Sequence, residues 1–219
     1  MSVGPVVPPR AGGPPRQLVL LLHGYGADGA DLIGLAGPLG DVLPNALFAA
    51  PNAPRRCAQN PFGFEWFPID FNDMMGSVQA GLPTARPAVL AHLEDAWART
   101  GLGPAATFLI GFSQGAMLAL HVGLSLPEPV LGIVSFSGAL VPPPGFGTAL
   151  AARPPVCLVH GDLDDVVDPD LTRQAAVALA AAGCEVSVHL SHGIGHGIAP
   201  DGLAYAAAFL GGRVAAANA

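Results

Sequence analysis

Residues 107–120 read Thr107-Phe108-Leu109-Ile110-Gly111-Phe112-Ser113-Gln114-Gly115-Ala116-Met117-Leu118-Ala119-Leu120. The apolar run Thr107–Phe112 predicts a strand buried on both faces. It passes with no linker into Gln114–Leu126, an apolar segment long enough for a helix. Between them stands Gly-x-Ser-x-Gly. On a sharp strand-to-helix turn the serine takes a strained backbone conformation, and the residues two before and two after it must be small. The turn pushes the hydroxyl out at the sheet edge and aims the helix N-terminus at negative charge developing beside it. The pentapeptide alone is a weak signal; a strand directly before it and a helix directly after it make it specific. Ser113 is therefore the candidate nucleophile, against the blander reading of a tight turn with an incidental serine.

Working outward, apolar runs alternate with helical segments. Leu18–His23, Ala46–Ala50, Val130–Phe136, Val156–His160 and Glu185–Leu190 read as strands. Pro87–Arg99, Asp170–Ala182 and Asp201–Leu210 read as helices, with Asp170 and Gly183 as start and stop of the second. This alternation predicts an α/β fold with a mostly parallel sheet covered by helices on both faces. Such a sheet carries its site in loops at the carboxyl ends of its strands. One domain over residues 18–212 is expected, with a flexible Pro/Gly-rich lead-in at 1–17 and a short tail at 213–219. The stretch Asn60–Pro83 has no clear period and reads as a long excursion over the site.

Two glycine-bracketed loops supply partners for the serine. His23-Gly24-Tyr25-Gly26 follows the first strong strand, where a nucleophile elbow needs a second backbone donor. The N–H groups of Tyr25 and Gln114 are the expected oxyanion donors, and His23 is expected to be structural. His160-Gly161-Asp162-Leu163-Asp164-Asp165 also follows a strand, and Asp162, Asp164 and Asp165 compete to orient a histidine base. Of seven histidines, His92 and His121 lie in expected helices and His189 in a strand. His192 and His196 lie in the loop Ser191–Ala199 between the last strand and the last helix, and Gly195 and Gly197 free His196 to bend towards the elbow. A rival reading takes His189, His192 and His196 as metal ligands, but their spacing lacks the helical His-Glu-x-x-His arrangement. No metal is expected.

Composition narrows the classes further. Of 219 residues, 51% are hydrophobic and 11% charged, which argues for a sizeable core and against disorder. The net charge of −7 and the absence of a basic stripe argue against a nucleic-acid partner. All nine basic residues are arginines, so a Schiff-base lysine, a P-loop lysine and a Ser-x-x-Lys site are excluded. Mean hydropathy is +0.49, which points to a greasy pocket or a subunit contact. No apolar run is long enough for stable membrane insertion. Three cysteines, Cys57, Cys157 and Cys184, do not form a disulfide framework. With no signal-peptide pattern at the start, a cytoplasmic setting is the expectation.

Taken together, His23–Asp28, Ala50–Pro54, Glu65-Trp66-Phe67, Gly111–Gly115, Ser137-Gly138, His160–Asp164 and Gly195-His196 resemble the phospholipase/carboxylesterase family. That family includes acyl-protein thioesterases and small bacterial carboxylesterases. The resemblance implies the α/β-hydrolase fold without a large cap, no cofactor, and often a homodimer. It makes Asp164 the triad acid and His196 the base, and Ser113, Asp164, His196 stand in the chain order of that fold. Its Trp-Phe pair is placed near the site. Trp66, Phe67 and Met74 are thus the expected substrate-binding residues, in an aromatic segment whose alternative fate is a satellite core. Asp165 stands where many thioesterases carry proline, and Pro68-Ile69-Asp70 follows the Trp-Phe pair; both favour the bacterial carboxylesterase branch. The expected activity is hydrolysis of small carboxylic esters with an apolar acyl or alcohol part, including thioesters or lysophospholipids, through an acyl-enzyme. The alternatives are an acyl-protein thioesterase or a non-catalytic binding protein on the same fold.

Overall fold

The structure, a computed structural model, describes residues 4–147, 150 and 152–218. Its frame is a seven-stranded sheet: β1 (Val6–Val7), β2 (Gln17–Leu22), β3 (Ala46–Ala49), β6 (Thr107–Phe112), β7 (Gly132–Phe136), β8 (Val156–Gly161) and β9 (Val186–Ser191). The spatial order is β1-β3-β2-β6-β7-β8-β9. Every pairing is parallel except β1 on β3. A small hairpin, β4 (Arg55–Arg56) with β5 (Phe64–Glu65), lies outside this sheet. The helices are α1 (Gly29–Leu32), α2 (Ala36–Val42), α3 (Met74–Thr100), α4 (Gln114–Gly123), α5 (Pro169–Ala181) and α6 (Pro200–Ala217).

The strands are apolar throughout because both faces are covered. Leu18, Leu20 and Leu22 of β2 pack with Val78, Leu82, Val89 and Leu93 of α3, Met117 and Leu118 of α4, and Leu179 of α5. Val19 and Leu21 turn the other way, onto Leu32, Leu39 and Leu43 beside α1 and α2, and Ala206 and Leu210 of α6. The chain winds outward from β2 in both directions, so the sheet has its switch point there. The loops after β2, β6, β8 and β9 emerge at the same carboxyl-end edge, as expected for a parallel sheet.

Four expectations need correction. The flexible lead-in contributes an edge strand: Val6 and Val7 pair with Ala49 and Phe48, and the N–H groups of Ala11 and Arg16 donate to Pro44 and Asn45. Edge groups of β3 would otherwise lie unpaired, and two valines suffice to cover them. The expected tail at 213–219 is helical as far as Ala217, because α6 runs on through Arg213. The excursion at 60–83 ends at Asp73, whose carboxylate accepts from Gly76 N–H and caps α3. Pro83 and Pro87 lie inside that helix, each removing one backbone hydrogen bond. Burial of Val78, Leu82, Val89 and Leu93 holds the helix together across them. Finally, the cap of α5 is Asp168, which accepts from Asp170 N–H, with Pro169 in the first turn.

Candidate active site

The turn between β6 and α4 has the backbone its residues require. Ser113 sits at φ 53°, ψ −116°, in the left-handed half of conformational space that a side chain rarely adopts. Its N–H donates to Phe136 O at 2.9 Å. A Cβ at Gly111 would lie 2.2 Å from Gly115 O, and one at Gly115 would lie 1.9 Å from Leu22 O. Both glycines are therefore steric necessities of a turn wedged against β2. Gly115→Ala should destabilise the fold by about 3 kcal/mol, because the obstruction is backbone and has no rotamer to yield. Thermal denaturation of the variant checks this.

The other two members arrive from separate loops. Asp164 Oδ1 accepts the N–H groups of Val166 and Val167, both at 2.9 Å. Its Oδ2 lies 2.7 Å from His196 Nδ1, and His196 Nε2 lies 3.0 Å from Ser113 Oγ. A carboxylate oxygen only accepts, so Nδ1 carries the proton and Nε2 presents a lone pair to the serine hydroxyl. Burial pushes the Asp164 carboxyl up. The N–H of Val167, the His196 ring and the N–H of Val166 outweigh it and hold the carboxyl below its ordinary range. The three side chains form one hydrogen-bonded line from the acid loop to the elbow.

The competing aspartates and histidines have other partners. Asp162 accepts from His192 Nδ1 and from Gly193 N–H, both at 2.7 Å, and so ties down the loop that carries His196. That loop packs against Gly161, where a Cβ would stand 2.3 Å from Ile194 O. His189 pairs with Asp201 and stacks on Tyr205. His189, His192 and His196 thus face three different carboxylates. Asp165 is exposed.

Tyr25 and Gln114 border the cavity beside Ser113. Neither backbone N–H has a partner among the described residues. The Gln114 side chain faces backwards: its oxygen accepts from Trp66 N–H and its amide donates to Phe67 O, both at 2.8 Å. His23 is buried and structural, donating to Gly24 O at 2.8 Å and accepting from Ala53 N–H at 3.0 Å. Burial pushes its pKa down, against the raising effect of the Gly24 carbonyl.

The substrate wall differs from expectation. Trp66 and Phe67 are 1% and 0% exposed and do not line the cavity. The Trp66 indole needs an acceptor once buried and finds it in His23 O at 2.9 Å. Phe67 packs on Gly81 of α3, where a Cβ would meet its ring at 2.3 Å. Trp66 thus braces the loop that begins at His23, and Phe67 is wedged between α3 and the Gln114 side chain. Of the expected trio only Met74 reaches the cavity, which has a volume of about 150 Å³. Phe71, from the same aromatic segment, also lines it, and Ile69, Val78, Met117, Val166 and Val167 complete its apolar wall, aliphatic residues that aromatic content did not single out. A larger hollow beside Arg86 and His121 lies away from this chemistry.

Comparison with known proteins finds relatives along nearly the whole chain. The family model described as Phospholipase/Carboxylesterase matches residues 6–212. The solved structure titled esterase PE8 is 51% identical, with a TM-score of 0.91 over 95% of this chain and 97% of that one. Esterase YpfH of Escherichia coli is 29% identical over 84% of this chain and 78% of its own length. Acyl-protein thioesterase 1 of Saccharomyces cerevisiae is 30% identical over 90% of this chain and 92% of its own. With an elbow serine on a mostly parallel sheet, and relatives of this kind along nearly its whole length, the chain belongs to the phospholipase/carboxylesterase family and is a carboxylic ester hydrolase of the α/β-hydrolase fold.

Proposed function

We propose that the protein is a serine carboxylesterase acting on small esters with a short apolar acyl group. The observation that carries this reading is the Ser113–His196–Asp164 line opening into a cavity walled by aliphatic side chains, Met74, Met117 and Phe71. His196 Nε2 takes the hydroxyl proton as Ser113 Oγ bonds to the ester carbonyl carbon. The carbonyl electron pair moves onto oxygen, where the N–H groups of Tyr25 and Gln114 and the N-terminus of α4 stabilise the charge. Collapse of this intermediate expels the alcohol, which leaves with the proton from His196. Water then repeats the sequence on the acyl-enzyme and releases the acid. No cofactor enters these steps.

The same groups would cleave a thioester, a reading favoured by the yeast relative named as a thioesterase. A non-catalytic binding role gains nothing from a proton path aligned over three separate loops. A cytoplasmic setting and a homodimer belong to the same proposal. The first is supported by Cys57, Cys157 and Cys184, all free and buried, and the second by the family resemblance. No helix among the described residues is long and apolar enough to cross a membrane.

Val78 and Val167, each no more than 3% exposed, close the cavity. Catalytic efficiency should rise about fourfold per added methylene from acetyl upwards, the equivalent of about 0.8 kcal/mol per buried CH₂. It should then fall once the chain outgrows the cavity. Met117→Ala should shift the optimum to longer chains, whereas Trp66→Ala should depress every chain length alike. Steady-state kinetics on nitrophenyl esters of graded length measures both. An optimum unmoved by Met117→Ala would place the acyl group elsewhere.

A further inference from the structure

We propose that His160, held by Thr172, is a positioning residue for Asp164, fixing the carboxylate in the orientation that His196 requires. The inference rests on the reading of Asp164 as triad acid. His160 is the penultimate residue of β8, whose preceding side chains Val156, Cys157, Leu158 and Val159 are all buried, and its own side chain is fully buried. An imidazole there is expensive unless its nitrogens are bonded. Both are. Nε2 lies 2.9 Å from Val167 O, and Nδ1 lies 2.7 Å from Thr172 Oγ1. A carbonyl oxygen only accepts, so Nε2 carries the hydrogen and Nδ1 accepts from the threonine hydroxyl.

That tautomer turns the positive edge of the ring to Asp164, whose Oδ2 lies 3.0 Å from His160 Nε2. The carboxylate is therefore held on all sides. Two backbone amides take Oδ1, and two imidazole edges meet at Oδ2. Rotation about the carboxyl bond would break at least three of these contacts. The ring also ties three parts of the chain together: β8, the turn at Val167, and Thr172 of α5, itself 2% exposed. Burial pushes the His160 pKa down, against the raising effects of the Val167 carbonyl and Asp164. A neutral ring suits the task. A cation at this place would compete with the His196 imidazolium for the Asp164 charge.

The test uses His160→Phe, His160→Gln and Thr172→Val, each alone and His160→Phe also with Asp164→Asn. Rates are expressed per active site titrated by an ester burst, so only folded molecules count. His160→Phe should lower kcat about 10²-fold with KM unchanged, the loss expected for a misplaced catalytic group. His160→Gln, whose amide can stand where Nε2–H stood, should recover most of it, and Thr172→Val should lose less than the phenylalanine variant. Beside Asp164→Asn, His160→Phe should cost little more, because its route of action is already gone. A normal kcat in His160→Phe, no recovery in His160→Gln, or equal fold-losses in both backgrounds would overturn the proposal. A harmless Asp164→Asn would overturn the triad reading itself and the proposal with it.

Discussion

Ser113→Ala is expected to lower kcat for ester hydrolysis by about 10⁶-fold while leaving the melting temperature close to that of the parent protein. In the proposed mechanism the hydroxyl is a reactant, so its loss removes the covalent route entirely. What survives is the proposed oxyanion site and the cavity, which would orient and polarise an ester for direct attack by water. The fold should tolerate the change because alanine keeps the Cβ that the turn already accommodates at φ 53°. The backbone bond from residue 113 to Phe136 O is also untouched. Kinetics on a short nitrophenyl ester, with thermal denaturation alongside, reads both halves. A variant that keeps a tenth of its activity would move the nucleophile elsewhere.

Asp164→Asn should lower kcat by about 10⁴-fold, and far more than Asp162→Asn. Asparagine can still accept from Val166 and Val167 through its oxygen. Its amide would then face His196 and oppose the His160 N–H, where the carboxylate now accepts from His196. His196 would be driven to the tautomer with hydrogen on Nε2, which cannot take the serine proton. Asp162 lacks this link: it holds His192 and Gly193, and an amide oxygen can still accept from the glycine N–H. Activity measured on the two asparagine variants decides the matter, and equal losses would contradict the assignment of the acid.

The elbow was legible because its requirements are local. A strand, a strained serine and two glycines with no room for Cβ lie within a few residues of one another. The sheet was legible for a related reason, since strands covered on both faces need no polar alternation. The acid was harder. Asp162, Asp164 and Asp165 are close in sequence, and only the family resemblance chose among them. In space the choice depends on which carboxylate meets His196, a residue 32 positions beyond Asp164. His160 escaped notice because a histidine ending an apolar strand looks like packing, and the threonine that fixes its tautomer comes from the following helix. The aromatic segment misled in a different way. Its hydrophobicity was plain, but whether a ring faces core or cavity depends on partners such as His23 O and Gly81, which composition does not show. Pro83 and Pro87 hid the first turns of α3 for the same reason: tertiary burial overrode local propensity.

In the proposed reaction an acyl group passes through Ser113. The most direct measurement is intact-protein mass spectrometry after rapid quenching of the enzyme with a short nitrophenyl ester, followed by peptide mapping. A mass increase of one acyl group is expected on the peptide carrying Gly111–Gly115, located on Ser113, absent in Ser113→Ala, and longer-lived in His196→Ala wherever it forms. An acyl adduct on another residue, or full turnover with no adduct under any quench, would contradict it.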